Sequence, residues 1–298
     1  MINDELLDDG YRTLIAGLPP LVRNLIPTTL PGQAFRQRLY LAALGQPGEL
    51  TADQIQAGQL GELVALALTL TPPAFDPQKT APGDLVQQRA QAFASQYLLS
   101  QYSATLSRVG MSALRIQELL IKLEDLLLAQ INHLPQNFHQ QLAIATVLED
   151  RKYRFGGLGA LVVNHALPEA MADDQRALLG QVGENLATAA ALREEVDRLG
   201  EADWFARRIR TGNYPLALLF CRTNRPDLVE KFFHQAHQPS AAAFDQLRLA
   251  CQREGWQVGD LAKDLLKQVH YDLTTLPHGS RRDALTALLK DEKQFWQH

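Results

Sequence analysis

The feature that most constrains this chain is an apolar periodicity of about 3.6 residues, which runs through almost all of its length. No run of alternating Val, Ile and Thr residues occurs, and no Asn-Gly or Asp-Gly hairpin signal lies between two apolar runs. Ala, Leu, Gln, Glu and Arg, which favour helices, dominate instead. The sequence therefore predicts an all-α protein.

Local signals predict where several helices begin and end. Thr51 followed by Gln54 has the spacing of a capping box, and Pro72-Pro73 ends the helix that follows it. Ser112 is a candidate N-cap for the long helix that follows it in the sequence. Gly156-Gly157 predicts a break before a short apolar helix.

The length and the apolar faces of the helices indicate how they are arranged. Several predicted helices exceed about 20 residues and are apolar over more than a narrow stripe, which is typical of a bundle with buried central helices. No Ser/Gly-rich linker interrupts the chain, so we expect one domain over residues 1–298. Helical bundles place their ligand sites in a central cavity between facing helices.

Composition excludes several functional classes. Lys and Arg number 29 against 33 Asp and Glu, and this net charge of −4 argues against a nucleic-acid-binding surface. The N-terminus is acidic where a secretory signal would be basic, and no apolar segment is long enough to predict a transmembrane helix. Two cysteines, Cys221 and Cys251, do not predict a disulfide framework. We therefore expect a cytoplasmic protein.

Five segments, in the right order, resemble one enzyme family. The segments are Gly32–Arg36, Glu62–Asp76, Tyr97–Ser100, Gly183–Glu195 and Leu261–Leu289. Together they resemble the trans-isoprenyl diphosphate synthases, the polyprenyl synthetase family. The resemblance spans nearly the whole chain and is more specific for the fold than for the activity.

The resemblance implies both a fold and a chemistry. The fold is the isoprenoid-synthase bundle with a central cavity. The implied cofactor is Mg²⁺, which bridges two aspartate-rich motifs to an allylic diphosphate before isopentenyl diphosphate attacks the resulting carbocation. The implied ligand is a prenyl diphosphate. The family also suggests a homodimer, or a heterodimer with a catalytic homologue, through long helices such as the one predicted over Ser112 to Leu134.

The chain departs from the family at both aspartate-rich motifs. Pro72-Pro73 stands where the first motif has its leading acids, and proline has no atom that binds a metal. Glu194-Glu195 replaces the leading pair of the second motif, and Arg198 stands at its last acidic position. Because Glu194 and Arg198 are four residues apart, we expect them to form an ion pair. The candidate metal ligands that remain are Asp76, Glu194, Glu195 and Asp197.

The basic residues that would contact a diphosphate are also fewer than in the family. Gln33 and Ala34 stand where basic residues are expected. The candidate diphosphate-binding residues that remain are Arg36, Lys152 and Arg154.

These departures leave three hypotheses open. The first is a non-catalytic or altered homologue that binds prenyl chains or diphosphates, or that partners a catalytic prenyltransferase subunit. The second is an active prenyltransferase, either of the polyprenyl or geranylgeranyl type or a prenyl-peptide-modifying relative, that uses a reduced acidic set with Mg²⁺. The third is an interaction scaffold that shares only helical packing with the family.

Overall fold

A computed structural model describes residues 2–27, 30–45, 48–71, 82–234 and 239–296. Within these ranges the regular structure is helical and contains no strand, which confirms the all-α prediction. The α-helices are α1 (Ile2–Gly17), α2 (Pro20–Arg23), α3 (Gln33–Leu44), α4 (Ala52–Leu70), α5 (Pro82–Leu106), α6 (Ala113–His133), α7 (Ile144–Arg151), α8 (Gly157–Ala166), α9 (Asp173–Arg198), α10 (Ala202–Arg210), α11 (Leu216–Asn224), α12 (Pro226–Phe233), α13 (Ala241–Arg253), α14 (Gly255–Thr275) and α15 (Ser280–Phe295).

Helix α9 lies at the centre of the bundle. It packs mainly against α8 and α14 and also contacts α3 and α15. Its apolar residues recur every three or four positions and are at most 1% exposed: Leu179, Val182, Leu186, Ala189 and Leu192. The buried apolar side chains, which come from α1 and from α3 through α15 and the segments between them, form one cluster around this helix.

Two glycines allow α8 and α9 to pack closely. A Cβ on Gly159 would lie 2.3 Å from Cβ of Ala187 and 2.5 Å from the carbonyl oxygen of Gly183. A Cβ on Gly156 would lie 2.6 Å from Oγ1 of Thr188. Any larger residue at these two positions would displace α9. Glycine, which has no Cβ, therefore allows the two backbones to approach this closely.

The predicted break at Gly156-Gly157 is wrong. Helix α7 continues into α8 through a π-helical turn over Lys152–Gly156, and both glycines have right-handed helical backbone angles. In this segment Gly156 serves interhelical packing, because it allows the π-helical turn to lie directly against α9.

The helix caps predicted at Thr51 and Ser112 are present. The side chain of Thr51 accepts a hydrogen bond from the backbone N–H of Gln54, and the Gln54 side chain completes the capping box. Ser112 caps α6 through the N–H of Arg115 at 3.2 Å. Pro72-Pro73 and Asp76 lie outside the described residues, so the structure describes α4 and Thr71 but not the segment that follows.

The described part of the chain contains no helix that is both long enough and apolar enough to cross a bilayer.

Candidate functional site

A cavity of about 710 Å³ lies between the C-terminal half of α4, the start of α3, the junction of α7 and α8, and α9 and α10. This volume is within the range of small-molecule sites, which is about 300–1,000 Å³. One part of the lining is apolar and consists of small and aliphatic side chains: Leu30, Ala65, Leu68, Leu158, Ala187, Ala190 and Ala191.

The other part of the lining is charged and contains twice as many arginines as acids. The arginines are Arg36, Arg151, Arg154, Arg193, Arg198 and Arg208. The acids are Glu194, Glu195 and Asp197. Residues 187 and 198 are about 16 Å apart along α9 because an α-helix rises 1.5 Å per residue. Along α9 the lining therefore changes from small apolar side chains at residues 187–191 to charged side chains at residues 193–198.

Glu195 is buried and its carboxylate is fully engaged. Oε1 accepts the backbone N–H of Leu216 at 2.6 Å, at the start of α11. Oε2 accepts a hydrogen bond from Nη2 of Arg151 at 3.2 Å and lies 3.7 Å from Nη2 of Arg208. Glu195 therefore joins α9 to α7, α10 and α11, and its oxygens do not point to an open metal position.

Glu194 and Arg198 form the ion pair that their spacing predicts. Oε1 of Glu194 lies 3.6 Å from Nη1 of Arg198. Arg198 also donates from Nε and Nη2 to Glu201, both at 3.3 Å. A guanidinium group thus occupies the side of α9 where a metal-binding helix would present its last carboxylate.

Asp197 lines the cavity and is exposed to solvent. Partial burial raises the pKa of its carboxyl group, and the nearby positive charge of Arg193 opposes that shift. Arg193 itself donates from Nη1 to both carboxylate oxygens of Glu292 at 2.7 Å, which ties α9 to α15.

Arg36 lines the cavity, but its hydrogen bonds go to the protein. Nε and Nη2 donate to the two carboxylate oxygens of Glu62 at 3.1 and 2.6 Å, and Nη1 donates to the carbonyl oxygen of Pro31 at 2.7 Å. Burial raises the pKa of Glu62, and the charge of Arg36 opposes the shift. The structure places this arginine as a buried link between α3 and α4.

Of the two basic candidates beyond Arg36, only Arg154 reaches the cavity. It is 6% exposed and donates from Nε and Nη2 to Asp150, with distances of 2.6 to 3.1 Å. Burial, followed by the charge of Arg151, lowers the pKa of the Arg154 guanidinium to about 10. Lys152 belongs to the π-helical turn and does not line the cavity.

Sequence reasoning missed Arg151 and Arg208. Both line the charged end of the cavity, and Arg208 stacks over Trp204 with its guanidinium carbon 5.4 Å from the ring centroid. Arg151 precedes Arg154 by three residues, a spacing that places both on one helix face. That spacing was the available signal for Arg151, whereas Arg208 lies among the neighbouring Arg207 and Arg210 and carries no distinguishing pattern.

The described residues do not fit a Mg²⁺ site. No group of three His, Cys, Asp or Glu residues among them is arranged to hold a metal ion. Mg²⁺ needs accessible oxygen ligands, and the carboxylates of Glu194 and Glu195 are paired with arginines. Of the other two candidate ligands, Asp197 is exposed, and Asp76 lies outside the described residues.

Solved structures share this fold across nearly the whole chain. The geranylgeranyl pyrophosphate synthase from Lactobacillus brevis ATCC 367 complexed with citrate has a TM-score of 0.78 at 14% identity, with 97% of this chain and 94% of that chain covered. The polyprenyl synthase from Caulobacter crescentus CB15 complexed with calcium and isoprenyl diphosphate has a TM-score of 0.71 at 17% identity, with 97% of each chain covered. The Arabidopsis medium/long-chain length prenyl pyrophosphate synthase, in its apo form, has a TM-score of 0.71 at 16% identity, with 100% and 99% covered.

No protein-family model matches the chain, and no curated protein matches its sequence. The class that the bundle and its cavity define is the all-α isoprenoid-synthase fold. Within that class, the fold is the one found in trans-prenyl diphosphate synthases, and the fold that the sequence resemblance implied is thereby confirmed.

Proposed function

We propose that this protein is a divergent relative of the prenyl diphosphate synthases that binds a prenyl chain or prenyl diphosphate in its cavity and has lost Mg²⁺-dependent chain elongation. One observation carries the proposal: the helical cage and its cavity persist while Glu194 and Glu195 are paired with arginines. Solved structures that share this fold, among them a polyprenyl synthase complexed with calcium and isoprenyl diphosphate, supply the ligand class.

The two ends of the cavity suit such an amphiphile. An isoprenoid chain would lie along the small side chains near Ala187 and Leu158, where burial of apolar surface is favourable. A diphosphate would lie at the arginine-rich end near Arg154. The arrangement supports binding, and the pairing of Glu194 and Glu195 with arginines argues against ionisation of an allylic diphosphate.

Two assays on the purified protein test this function. With Mg²⁺, farnesyl diphosphate and isopentenyl diphosphate, we expect no longer prenyl product. With farnesyl diphosphate alone, we expect a rise in melting temperature of about 5 °C at one hundred times the Kd, because a ligand that binds the native state stabilises it. Chain elongation by the protein alone would contradict the proposal, and so would the absence of any thermal shift.

The alternative function is a Mg²⁺-dependent prenyltransferase that uses Asp76, Glu194 and Asp197. The observation that favours it is the accessibility of Glu194, whose side chain is 40% exposed, and of Asp197. In that case Glu194→Gln would abolish turnover, whereas Asp203→Asn, on the neighbouring helix α10 and outside the cavity, would leave it unchanged. Equal turnover of wild type and Glu194→Gln would eliminate this metal role.

A surface on α6 supports the pairing of this chain with a second copy or with a catalytic homologue. Leu114, Ile121 and Leu128 recur every seven residues on one face and are 68%, 50% and 48% exposed, and Ile131 is 59% exposed. Such an exposed apolar stripe marks an interaction surface.

Sedimentation analysis tests this surface. We expect Ile121→Glu to shift the protein from dimer to monomer, and the neighbouring exposed substitution Lys122→Glu to leave the dimer intact. If wild type is monomeric, a catalytic homologue should form a complex with it that Ile121→Glu disrupts. A monomer that binds no homologue would contradict the proposed pairing.

A further inference from the structure

Arg151 is a buried charged side chain whose donor groups are only partly used. It is 2% exposed, and Nη2 donates to Glu195 and to the carbonyl oxygen of Tyr214, both at 3.2 Å. Nε and Nη1 are also buried, yet neither has a hydrogen-bond partner among the described residues. Buried N–H groups without an acceptor are energetically unfavourable. Because Arg151 lines the cavity, a ligand in the cavity that carries hydrogen-bond acceptors would remove this cost.

Arg208 approaches the same place from α10. Its Nε is buried and has no hydrogen-bond partner in the described part of the chain, and Nη2 reaches only the carboxylate of Glu195, at 3.7 Å. Two guanidinium groups therefore share one carboxylate. Burial, followed by the charge of Arg151, lowers the pKa of Arg208 to about 9, and this repulsion would be relieved by a bound anion.

Arg154 adds a third guanidinium group to this wall. Its partner is Asp150, which lies 3.1 Å from Nδ1 of His133. Burial lowers the pKa of His133 below its ordinary value of 6.5, so the imidazole is neutral at pH 7. Three guanidinium groups thus face the carboxylates of Glu195 and Asp150, and one positive charge is left unbalanced in a poorly solvated place.

Aromatic rings hold the three guanidinium groups in position. The ring centroid of Phe155 lies 5.7 Å from the guanidinium carbon of Arg151 and 5.0 Å from that of Arg154. Trp204 lies under Arg208 in the same way. Planar guanidinium groups held in fixed orientations suit the oxygens of a phosphate group, which they contact through paired N–H donors.

We propose that Arg151, Arg154 and Arg208 form a metal-independent site for the phosphate-bearing end of the cavity ligand. The inference rests on the proposed function for the identity of the chain attached to that phosphate, but the anion site itself does not depend on it. It replaces the Mg²⁺ bridge, which the described carboxylates do not fit, with direct charge-assisted hydrogen bonds from arginine.

Calorimetric titration with inorganic pyrophosphate in EDTA tests the site. We expect binding without divalent metal, and we expect Arg208→Gln to weaken it by about tenfold or more, since hydrogen bonds between charged groups are strong. Arg207→Gln is the matched control, because Arg207 is exposed on the same helix and does not line the cavity. Its affinity should remain within about twofold of wild type, the range expected for a distant surface charge.

Folding is checked separately by thermal unfolding of each variant. Arg208→Lys keeps the charge but loses the planar fork, so its affinity should fall between those of wild type and Arg208→Gln. If Arg208→Gln does not fold, the lysine variant and the loss of affinity at high salt carry the test. Binding that requires Mg²⁺, or equal losses in Arg207→Gln and Arg208→Gln, would overturn the site.

Three ligands separate this inference from the proposed function. Farnesyl diphosphate carries both the prenyl chain and the diphosphate. Farnesol carries the prenyl chain without the diphosphate, and pyrophosphate is the anion without the chain. Binding of pyrophosphate without farnesyl diphosphate or farnesol would uphold the anion site and refute the prenyl ligand. Farnesol binding as tight as farnesyl diphosphate, with no pyrophosphate binding, would uphold the prenyl ligand and refute the anion site.

Discussion

Glu195 accepts a hydrogen bond from Arg151 across the interface of α9 and α7, with Oε2 and Nη2 separated by 3.2 Å. Its other oxygen accepts the N–H of Leu216. The preceding residue, Glu194, has a 40% exposed side chain and pairs only with its own helix. Two adjacent glutamates therefore have different physical roles.

This difference predicts unequal effects of two matched substitutions. Glu195→Gln leaves Arg151 and Arg208 without their shared charge partner, and we expect it to lower the free energy of unfolding by about 3–5 kcal/mol. Glu194→Gln removes an exposed pair within one helix, and we expect less than about 1 kcal/mol. Urea unfolding at pH 7 measures both. Equal small losses would mean that the Glu195 network contributes little to the fold.

The buried pair of Arg36 and Glu62 allows a double-mutant cycle. Glu62 is 1% exposed, so Arg36→Met leaves a buried, unpaired carboxyl group and should cost about 3–5 kcal/mol of unfolding free energy. The double variant Arg36→Met with Glu62→Leu removes both polar groups and should cost less than the sum of the single changes. Denaturant titration of all four proteins measures the coupling. Additive losses would show that the two side chains do not act as a pair.

The sequence predicted those features that depend on neighbouring residues. The capping box of Thr51 and Gln54 and the N-cap at Ser112 are local, and both are present. The pairing of Glu194 with Arg198 is also local, since it needs only the helical spacing of four residues. The family resemblance supplied the fold, because it drew on segments spread along the whole chain.

Features that depend on distant contacts were not available from the sequence. Arg151 and Arg208 are far apart in sequence, and the folded bundle brings both guanidinium groups close to the carboxylate of Glu195. Gly156 looked like a helix break because the preference of glycine for turns is local, whereas its role here depends on Thr188 of another helix. The roles of these residues depend on which side chains are buried around them, and burial is set by the packing of the whole bundle.

Two glycines of α8 give a matched pair for the helix crossing. Alanine is favoured over glycine inside a helix by about 1 kcal/mol, so Gly157→Ala, whose Cβ would lie 3.4 Å from Cδ1 of Leu126, should stabilise the protein slightly. Gly159→Ala would place its Cβ 2.3 Å from that of Ala187 and should destabilise by about 1–3 kcal/mol. Urea unfolding measures both free energies. The same sign for both variants would mean that the crossing of α8 and α9 adjusts freely.

His165 makes the stability of the bundle sensitive to acid. It is 4% exposed, with Nε2 located 3.0 Å from the hydroxyl of Tyr102, and burial followed by the charge of Arg115 lowers its pKa from 6.5 to about 3. As the pH falls below 6.5, this histidine is therefore protonated in the unfolded chain, whereas in the folded protein it stays neutral until about pH 3. The free energy of unfolding consequently decreases by about 1.4 kcal/mol for each pH unit of acidification in this window. His165→Gln should remove this contribution to the slope of unfolding free energy between pH 6 and about pH 4, while His270→Gln, at an exposed position, should retain it. Parallel pH profiles for wild type and His165→Gln would show that this histidine accepts a proton in the folded state.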